Sequence, residues 1–221
     1  MKILITGTSS GIGLATAKLF LAKGHKVFGI DVNESAIKSD DYVHFKASVT
    51  DVDLPKINNV EVLINNAGVA TQTKDDIAVN LLGTINVTEK YAFQKSIRSV
   101  LMVASSCAGN GAEFPEYSAS KGGVVTYMKN CALRLAKEYK ATCNSVSPGA
   151  VVTPFNNHII YDKKLFDAVT EESLLKKWAT PEEIAEWIYF ITAVNKSMTG
   201  QDILIDNGEM LKSNFIWPET K

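Results

Sequence analysis

The chain has 221 residues, 46% hydrophobic and 21% charged, a composition that fits one globular domain and excludes a disordered polymer. Its 23 basic and 24 acidic side chains leave a net charge of -1, so it lacks the basic excess that neutralises nucleic-acid phosphates. No apolar run exceeds five residues, which is too short for a membrane-spanning helix, and the opening MKILITGTSSG lacks the long apolar stretch of a secretory signal.

Residues 2–6 (KILIT) read as a strand and residues 11–23 as a helix, joined by a Gly-rich turn. Strands follow at 26–31, 42–45 and 61–65, then an irregular helical stretch over 74–96 and a strand over 99–105. Apolar residues at Val124, Val125, Met128, Ala132, Leu135 and Tyr139 recur with a period near 3.6 and predict a helix over 117–139. A strand at 142–146 precedes a helix over 181–192. That helix is announced by a capping box, with Thr180 at the cap, Pro181 at the first helical position and Glu183 three residues after the cap. The last strand is 202–205. Several strands are continuously apolar, as burial on both faces requires, and their alternation with helices predicts a doubly wound parallel α/β sheet in a single domain, 1–221. The segments 51–60 and 69–79 are short, so each is expected to lack most of a connecting helix.

The turn Thr6-Gly-Thr-Ser-Ser-Gly-Ile-Gly13 carries its glycines at 7, 11 and 13. A strand that turns here into a helix brings backbone without Cβ atoms close to a pyrophosphate, and the helix presents free N–H groups to the anion. The binding set predicted from this turn is Gly7, Ser9, Ser10, Gly11, Ile12 and Gly13. Asp31 ends the second strand, where a carboxylate accepts hydrogen bonds from ribose hydroxyls and repels a 2′-phosphate. No Lys or Arg lies in 8–10, so NAD(H) is favoured; NADP(H) stays open because Lys38 can swing toward the same ribose.

With these motifs come NNAG at 65–68, Asn80 in Val-Asn-Leu, Ser106 in Ser-Ser-Cys-Ala-Gly, Tyr117-Ser-Ala-Ser-Lys121, Pro148-Gly149 and Asp206-Asn-Gly208. In this order, over nearly the whole chain, the sequence resembles the short-chain dehydrogenase/reductase family. The resemblance implies a Rossmann-like sheet of about seven strands and hydride transfer between a nicotinamide coenzyme and a hydroxyl or carbonyl carbon of a small molecule. It implies a catalytic set of Asn80, Ser106, Tyr117 and Lys121, with Tyr117 and Lys121 also touching the nicotinamide ribose. Asn66, Ala67 and Gly68 fall on the adenosine side. Pro148, Gly149, Val151 and Thr153 fall at the nicotinamide. Ser48 and Val49 stand near the adenine, Ser48 in place of the family's aspartate. Ser106 is preferred to its rival Ser105 because the family's serine precedes a glycine by three residues, here Gly109; the gap to Tyr117 is then 11 residues, shorter than usual, across the loop 110–115.

Physically, Tyr117 and Lys121 share a helix face at a spacing of four, and a nearby ammonium, together with the positive nicotinamide ring of the oxidised coenzyme, is expected to lower the phenol's pKa toward the working range. Two alternatives remain: an NADPH-dependent 3-oxoacyl reductase of the same family, and a dinucleotide-sensing protein without catalysis. The segment 154–179, with Phe155, Phe166 and Trp178, is expected to cover the substrate. His25, His44 and His158 lack metal-like partners, and no metal is expected. Cys107, Cys131 and Cys143 read as reduced thiols of a cytoplasmic protein. The tail aromatics Phe215 and Trp217, with the long helix 117–139, point to a homodimer or homotetramer.

Overall fold

The computed structural model describes residues 1–211; Phe215 and Trp217 lie outside the described residues. The chain runs β1 (Lys2–Thr6), α1 (Gly11–Ala22), β2 (Lys26–Asp31), β3 (Tyr42–Lys46), β4 (Val62–Asn65), a π-helical segment (Ile77–Gly83) continuing into α2 (Thr84–Tyr91), β5 (Ser99–Val103), α3 (Cys107–Asn110), α4 (Pro115–Tyr139), β6 (Thr142–Pro148), a short 3₁₀ turn (Pro154–Asn156), α5 (Asn157–Ile160), α6 (Lys163–Glu172), α7 (Pro181–Tyr189), a second π-helical segment (Phe190–Val194) and β7 (Asp202–Ile205).

The strands form one parallel sheet in the order β3-β2-β1-β4-β5-β6-β7. The order reverses between β1 and β4, and loops leaving the carboxyl ends of these strands diverge to opposite faces, opening a crevice there. Period-two alternation sends Leu4, Leu63, Val100 and Met102 into one core with Val124, Met128 and Leu135 of α4. Ile3, Ile5, Ile64, Leu101 and Val103 enter the other, against Phe20 of α1 and Ile184 and Ile188 of α7. Covering both faces explains why the central strands read as unbroken apolar runs.

The α7 capping box forms as predicted: Thr180 Oγ1 accepts from the Glu183 N–H at 3.2 Å, and the Glu183 carboxylate accepts from the Thr180 N–H at 2.8 Å. Between β3 and β4 no helix forms, as the short segment 51–60 implied. Three expectations shift. The strand predicted over 99–105 ends at Val103, because the chain then turns into α3. The helix expected over 74–96 is widened into a π turn around Asn80 before continuing as α2 and ends at Tyr91. The helix predicted over 181–192 ends at Tyr189, where the π segment begins. The three cysteines are buried free thiols. Among the described residues no helix is long and apolar enough to cross a membrane.

Candidate active site

A cavity of about 670 Å³ opens along the carboxyl ends of the strands. Its lining gathers most of the residues picked from the sequence: Gly7, Ser10, Gly11 and Ile12 from the first turn, Asp31, Ser48, Val49, Asn66, Ala67 and Gly68 beside it, and Ser106, Tyr117, Lys121, Pro148, Gly149, Val151 and Thr153 at the other end. Three chosen residues stand behind the wall instead: Ser9, Gly13 and Asn80.

Local backbone chemistry shapes the first end. Gly7 and Gly11 adopt φ of +75° and +52°, the left-handed region that side chains disfavour. A Cβ on Gly11 would press within 3.3 Å of the Thr153 side chain, which faces the turn from after β6. A Cβ on Gly13 would run into the Gly7 carbonyl oxygen and lie 2.5 Å from Asn66 Nδ2. Asn66 fastens this turn by donating from Nδ2 to the Thr6 and Gly7 carbonyls at 3.0 and 3.1 Å. Helix α1 begins without a side-chain cap and without an acidic residue in its first turn, so its leading N–H groups remain free donors at the positive end of the dipole. A Cβ-free cradle opening on an uncapped helix start fits a pyrophosphate. The Asp31 carboxylate is held by the Ser9 and Asn33 N–H groups, each at 2.9 Å, which explains Ser9's place behind the wall. Replacing Gly13 with alanine is expected to destabilise the fold by about 3 kcal/mol despite alanine's better helix propensity, because overpacking outweighs a propensity gain of about 1 kcal/mol; the midpoint of urea unfolding checks it.

At the other end Tyr117, Lys121, Ser105 and Ser106 are all buried. The Lys121 ammonium donates to the Val103 carbonyl at 2.9 Å and lies 5.6 Å from the Tyr117 ring centre. Burial pulls its pKa down to about 8. Burial first, then the Glu113 charge, holds the Tyr117 phenol well above its ordinary value. In a site this dry the loss of hydration favours the neutral phenol.

Ser106 and its neighbour Ser105 stand side by side at this end. The Ser105 hydroxyl accepts from the Cys107 N–H at 3.4 Å. Ser106 directs its N–H to the Pro148 carbonyl at 2.9 Å and begins α3. Both serines border the cavity.

Asn80 is buried in the π turn. Its Oδ1 accepts from the Val69 N–H and its Nδ2 donates to the Val69 carbonyl, both at 2.8 Å, while Nδ2 also donates to Ser120 Oγ at 3.0 Å. A Cβ on Gly68 would meet Asn80 Oδ1 at 3.1 Å and Lys121 Nζ at 3.3 Å. Asn80 therefore ties the segment after β4 to α4, directly behind the lysine.

Sequence reasoning missed Glu113 and Glu209, which border the cavity beside Tyr117 and Gly149. Glu209 directly follows the quoted Asp206-Asn-Gly208, and Glu113 lies in the loop already noted as short; these were the available signals. From 154–179, Phe155, Asn156, Ile159, Val169 and Trp178 complete the wall, with the Phe155 and Tyr117 rings 6.2 Å apart. Burial raises the Cys107 thiol's pKa, the wrong direction for a nucleophile. His25 packs on Tyr189 with ring centres 6.2 Å apart, and among the described residues no cluster is placed to hold a metal.

Comparison with known proteins agrees with this arrangement. A family model described as Enoyl-(Acyl carrier protein) reductase matches residues 7–209. The 3-oxoacyl-(acyl-carrier-protein) reductase FabG of Thermotoga maritima is 32% identical over 93% of this chain and 96% of its own length. Glucose 1-dehydrogenase of Gluconobacter oxydans is 28% identical over 97% of this chain and 93% of its own. Among solved structures, 4-hydroxyisoleucine dehydrogenase complexed with NADH superposes with a TM-score of 0.86 at 26% identity, covering 96% of this chain and 99% of that one. With a sheet that reverses at β1/β4, a Gly-rich turn at one end of the cavity and a Tyr–Lys pair at the other, the chain belongs to the short-chain dehydrogenase/reductase family of NAD(P)-dependent oxidoreductases.

Proposed function

We propose that this chain moves a hydride between NAD(H) and the carbinol or carbonyl carbon of a small alcohol or ketone, with Tyr117 as the acid/base. The observation that carries this reading is the sharing of one cavity by the Gly-rich turn, Asp31, Tyr117 and Lys121. Gly7, Ser10, Gly11, Ile12 and the α1 N–H groups hold the pyrophosphate, and Asp31 accepts from the adenosine ribose. Ser48, Val49, Asn66, Ala67 and Gly68 line the adenosine side, while Pro148, Gly149, Val151 and Thr153 hold the carboxamide end. When bound, the nicotinamide supplies a site that accepts or gives up a hydride. Tyr117 passes the substrate oxygen its proton in reduction and removes it in oxidation. Ser106, with Ser105 beside it on the same wall, donates to that oxygen as charge develops on it. Lys121 supplies the positive charge that favours the phenolate. Asn80 keeps Lys121 in place through Val69 and Ser120. The segment 154–179 closes the substrate end and excludes water.

A second reading, NADPH-dependent reduction of a 3-oxoacyl thioester, is supported by the 32% identity to FabG. Calorimetric titration with NADH and NADPH, followed by coenzyme absorbance with a panel of alcohols and ketones, tests both. Heat with NADH and turnover of simple alcohols supports the first. Tighter NADPH binding with turnover confined to acyl thioesters supports the second, and no heat with either coenzyme overturns both.

A further inference from the structure

The Asp31 carboxylate stands at the start of an exposed turn. Val32 is 57% exposed and Asn33 is exposed too, so apolar packing does not fix the chain here. Its shape rests on hydrogen bonds, and these lead away from the cavity. The Asn33 and Ser9 N–H groups hold the carboxylate itself. The Asn33 carbonyl is held in turn by the Ser9 hydroxyl at 3.2 Å and by His44 Nε2 at 2.9 Å. His44 Nδ1 lies 3.2 Å from the Tyr42 hydroxyl, which lies 2.9 Å from the Thr8 hydroxyl of the Gly-rich turn.

The donors and acceptors give this chain a direction. A carbonyl only accepts, so Nε2 carries the ring proton toward Asn33. Nδ1 of the neutral imidazole then accepts from Tyr42, and Tyr42 accepts from Thr8. Thr8 is joined to Ser9 through the backbone, so the ring of contacts closes around Asp31. The sheet leaves room for it. Tyr42 and His44 share one face of β3 at a spacing of two, and Gly29 of β2 lies opposite His44. A Cβ on Gly29 would run into the Tyr42 hydroxyl and lie 2.5 Å from Thr8 Oγ1. Thr8 and Tyr42 are buried, so either hydroxyl is costly to leave without its partner. Thr8, Tyr42 and His44 stand behind the cavity wall, whereas Asp31 and Asn33 border it.

We propose that Tyr42 and His44 are positioning residues for coenzyme choice. Through the Asn33 carbonyl they hold the Asp31 carboxylate toward the adenosine ribose, where it accepts from the 2′-hydroxyl and opposes a 2′-phosphate. This rests on the reading of Asp31 as the ribose acceptor. A purely structural role for β3 predicts something different. Loosening the sheet edge weakens both coenzymes alike. Releasing Asp31 weakens NADH, which loses an acceptor held in place, and spares NADPH, because the freed carboxylate can turn away from the phosphate.

Calorimetric titration of NADH and NADPH into the wild-type protein and its variants tests this without a substrate. His44→Asn keeps a polar group near the Nδ1 position but no longer reaches Asn33. It is expected to raise the NADH Kd about fivefold, the scale of one lost hydrogen bond, with the NADPH Kd unchanged or lower. His44→Gln keeps a donor near the Nε2 position and is expected to bind NADH within about twofold of wild type. Tyr42→Phe removes one oxygen and frees the imidazole to turn, for an expected rise of about threefold in the NADH Kd. It carries the test if urea unfolding shows that His44→Asn does not fold. In an Asp31→Asn background, His44→Asn is expected to move the NADH/NADPH ratio by less than about twofold, because the charge it directs is gone. Equal weakening of both coenzymes overturns the proposal, as does a full effect in the Asp31→Asn background or His44→Gln binding NADH as weakly as His44→Asn. If Asp31→Asn alone leaves the ratio unchanged, or neither coenzyme gives heat, the ribose reading falls and this proposal with it. If Asp31→Asn shifts the ratio while His44→Asn and Tyr42→Phe do not, only the positioning role falls.

Discussion

Replacing Tyr117 with phenylalanine is expected to lower kcat by about 10³-fold in both directions, equivalent to about 4 kcal/mol of barrier. The ring stays in its packing against Phe155, so the fold and most of the cavity surface persist, and coenzyme affinity is expected to fall by about tenfold at most. Steady-state rates together with calorimetry distinguish this from misfolding. If the variant keeps wild-type kcat, Tyr117 is not the proton donor and acceptor. The pH profile follows from the raised phenol. A phenol that keeps its proton across the neutral range is ready to donate, so reduction is expected to stay flat through neutrality and to fall only on the alkaline side. Oxidation needs the phenolate and is expected to climb with pH. Lys121 loses its charge above about 8, removing the cation that favours the phenolate, so the climb slackens beyond that point. Glu113→Gln removes the largest charge acting against the phenolate and is expected to move the oxidation profile to lower pH.

Substituting Asp31 with asparagine is expected to have the second-largest effect, a loss of NAD over NADP selectivity by at least about tenfold. The carboxylate is anchored by the Ser9 and Asn33 N–H groups and cannot easily swing away from an incoming group. A doubly charged 2′-phosphate within about 4–5 Å is repelled by roughly 2–8 kcal/mol, depending on local screening, and the lining offers no cation besides distant Lys121. Asparagine keeps one acceptor for the backbone and removes the charge, so the change reads electrostatics rather than collapse of the turn. Comparison of kcat/KM for the two coenzymes is the measurement. Unchanged selectivity would assign the discrimination elsewhere, with Lys38 the first residue to examine.

Most of the architecture was legible because the sheet is covered on both faces and each strand writes itself as a short apolar block. The Gly-rich turn was legible for a related reason: close backbone approach leaves glycine as the residue that fits, and glycines at 7 and 13 meet in space through local geometry alone. What stayed hidden depends on distant segments. Two adjacent serines, Ser105 and Ser106, end up on one cavity wall, a sharing that the sequence pattern alone does not announce. Glu113 and Glu209 lie on separate loops almost a hundred residues apart, and no local pattern announces that they border one cavity. The π turn at Asn80 belongs to the same class. Gly83 packs so closely on Val49 that a Cβ would sit 2.5 Å from its Cγ2, a constraint imposed from outside the helix. Sequence spacing reports the cation near Tyr117 but not the burial that favours its neutral phenol.

The cavity is assembled from two stretches of chain that contribute at different ends. The adenosine end comes from residues 7–69 and the reactant end largely from 103–209. The two meet where Asn80 grips Val69 through paired backbone hydrogen bonds. Thr153, from the second stretch, nevertheless faces Gly11 of the first, where a Cβ would come within 3.3 Å of its side chain. A substitution in the turn is therefore felt at both ends, and recombination between relatives at this seam must carry matched partners on either side.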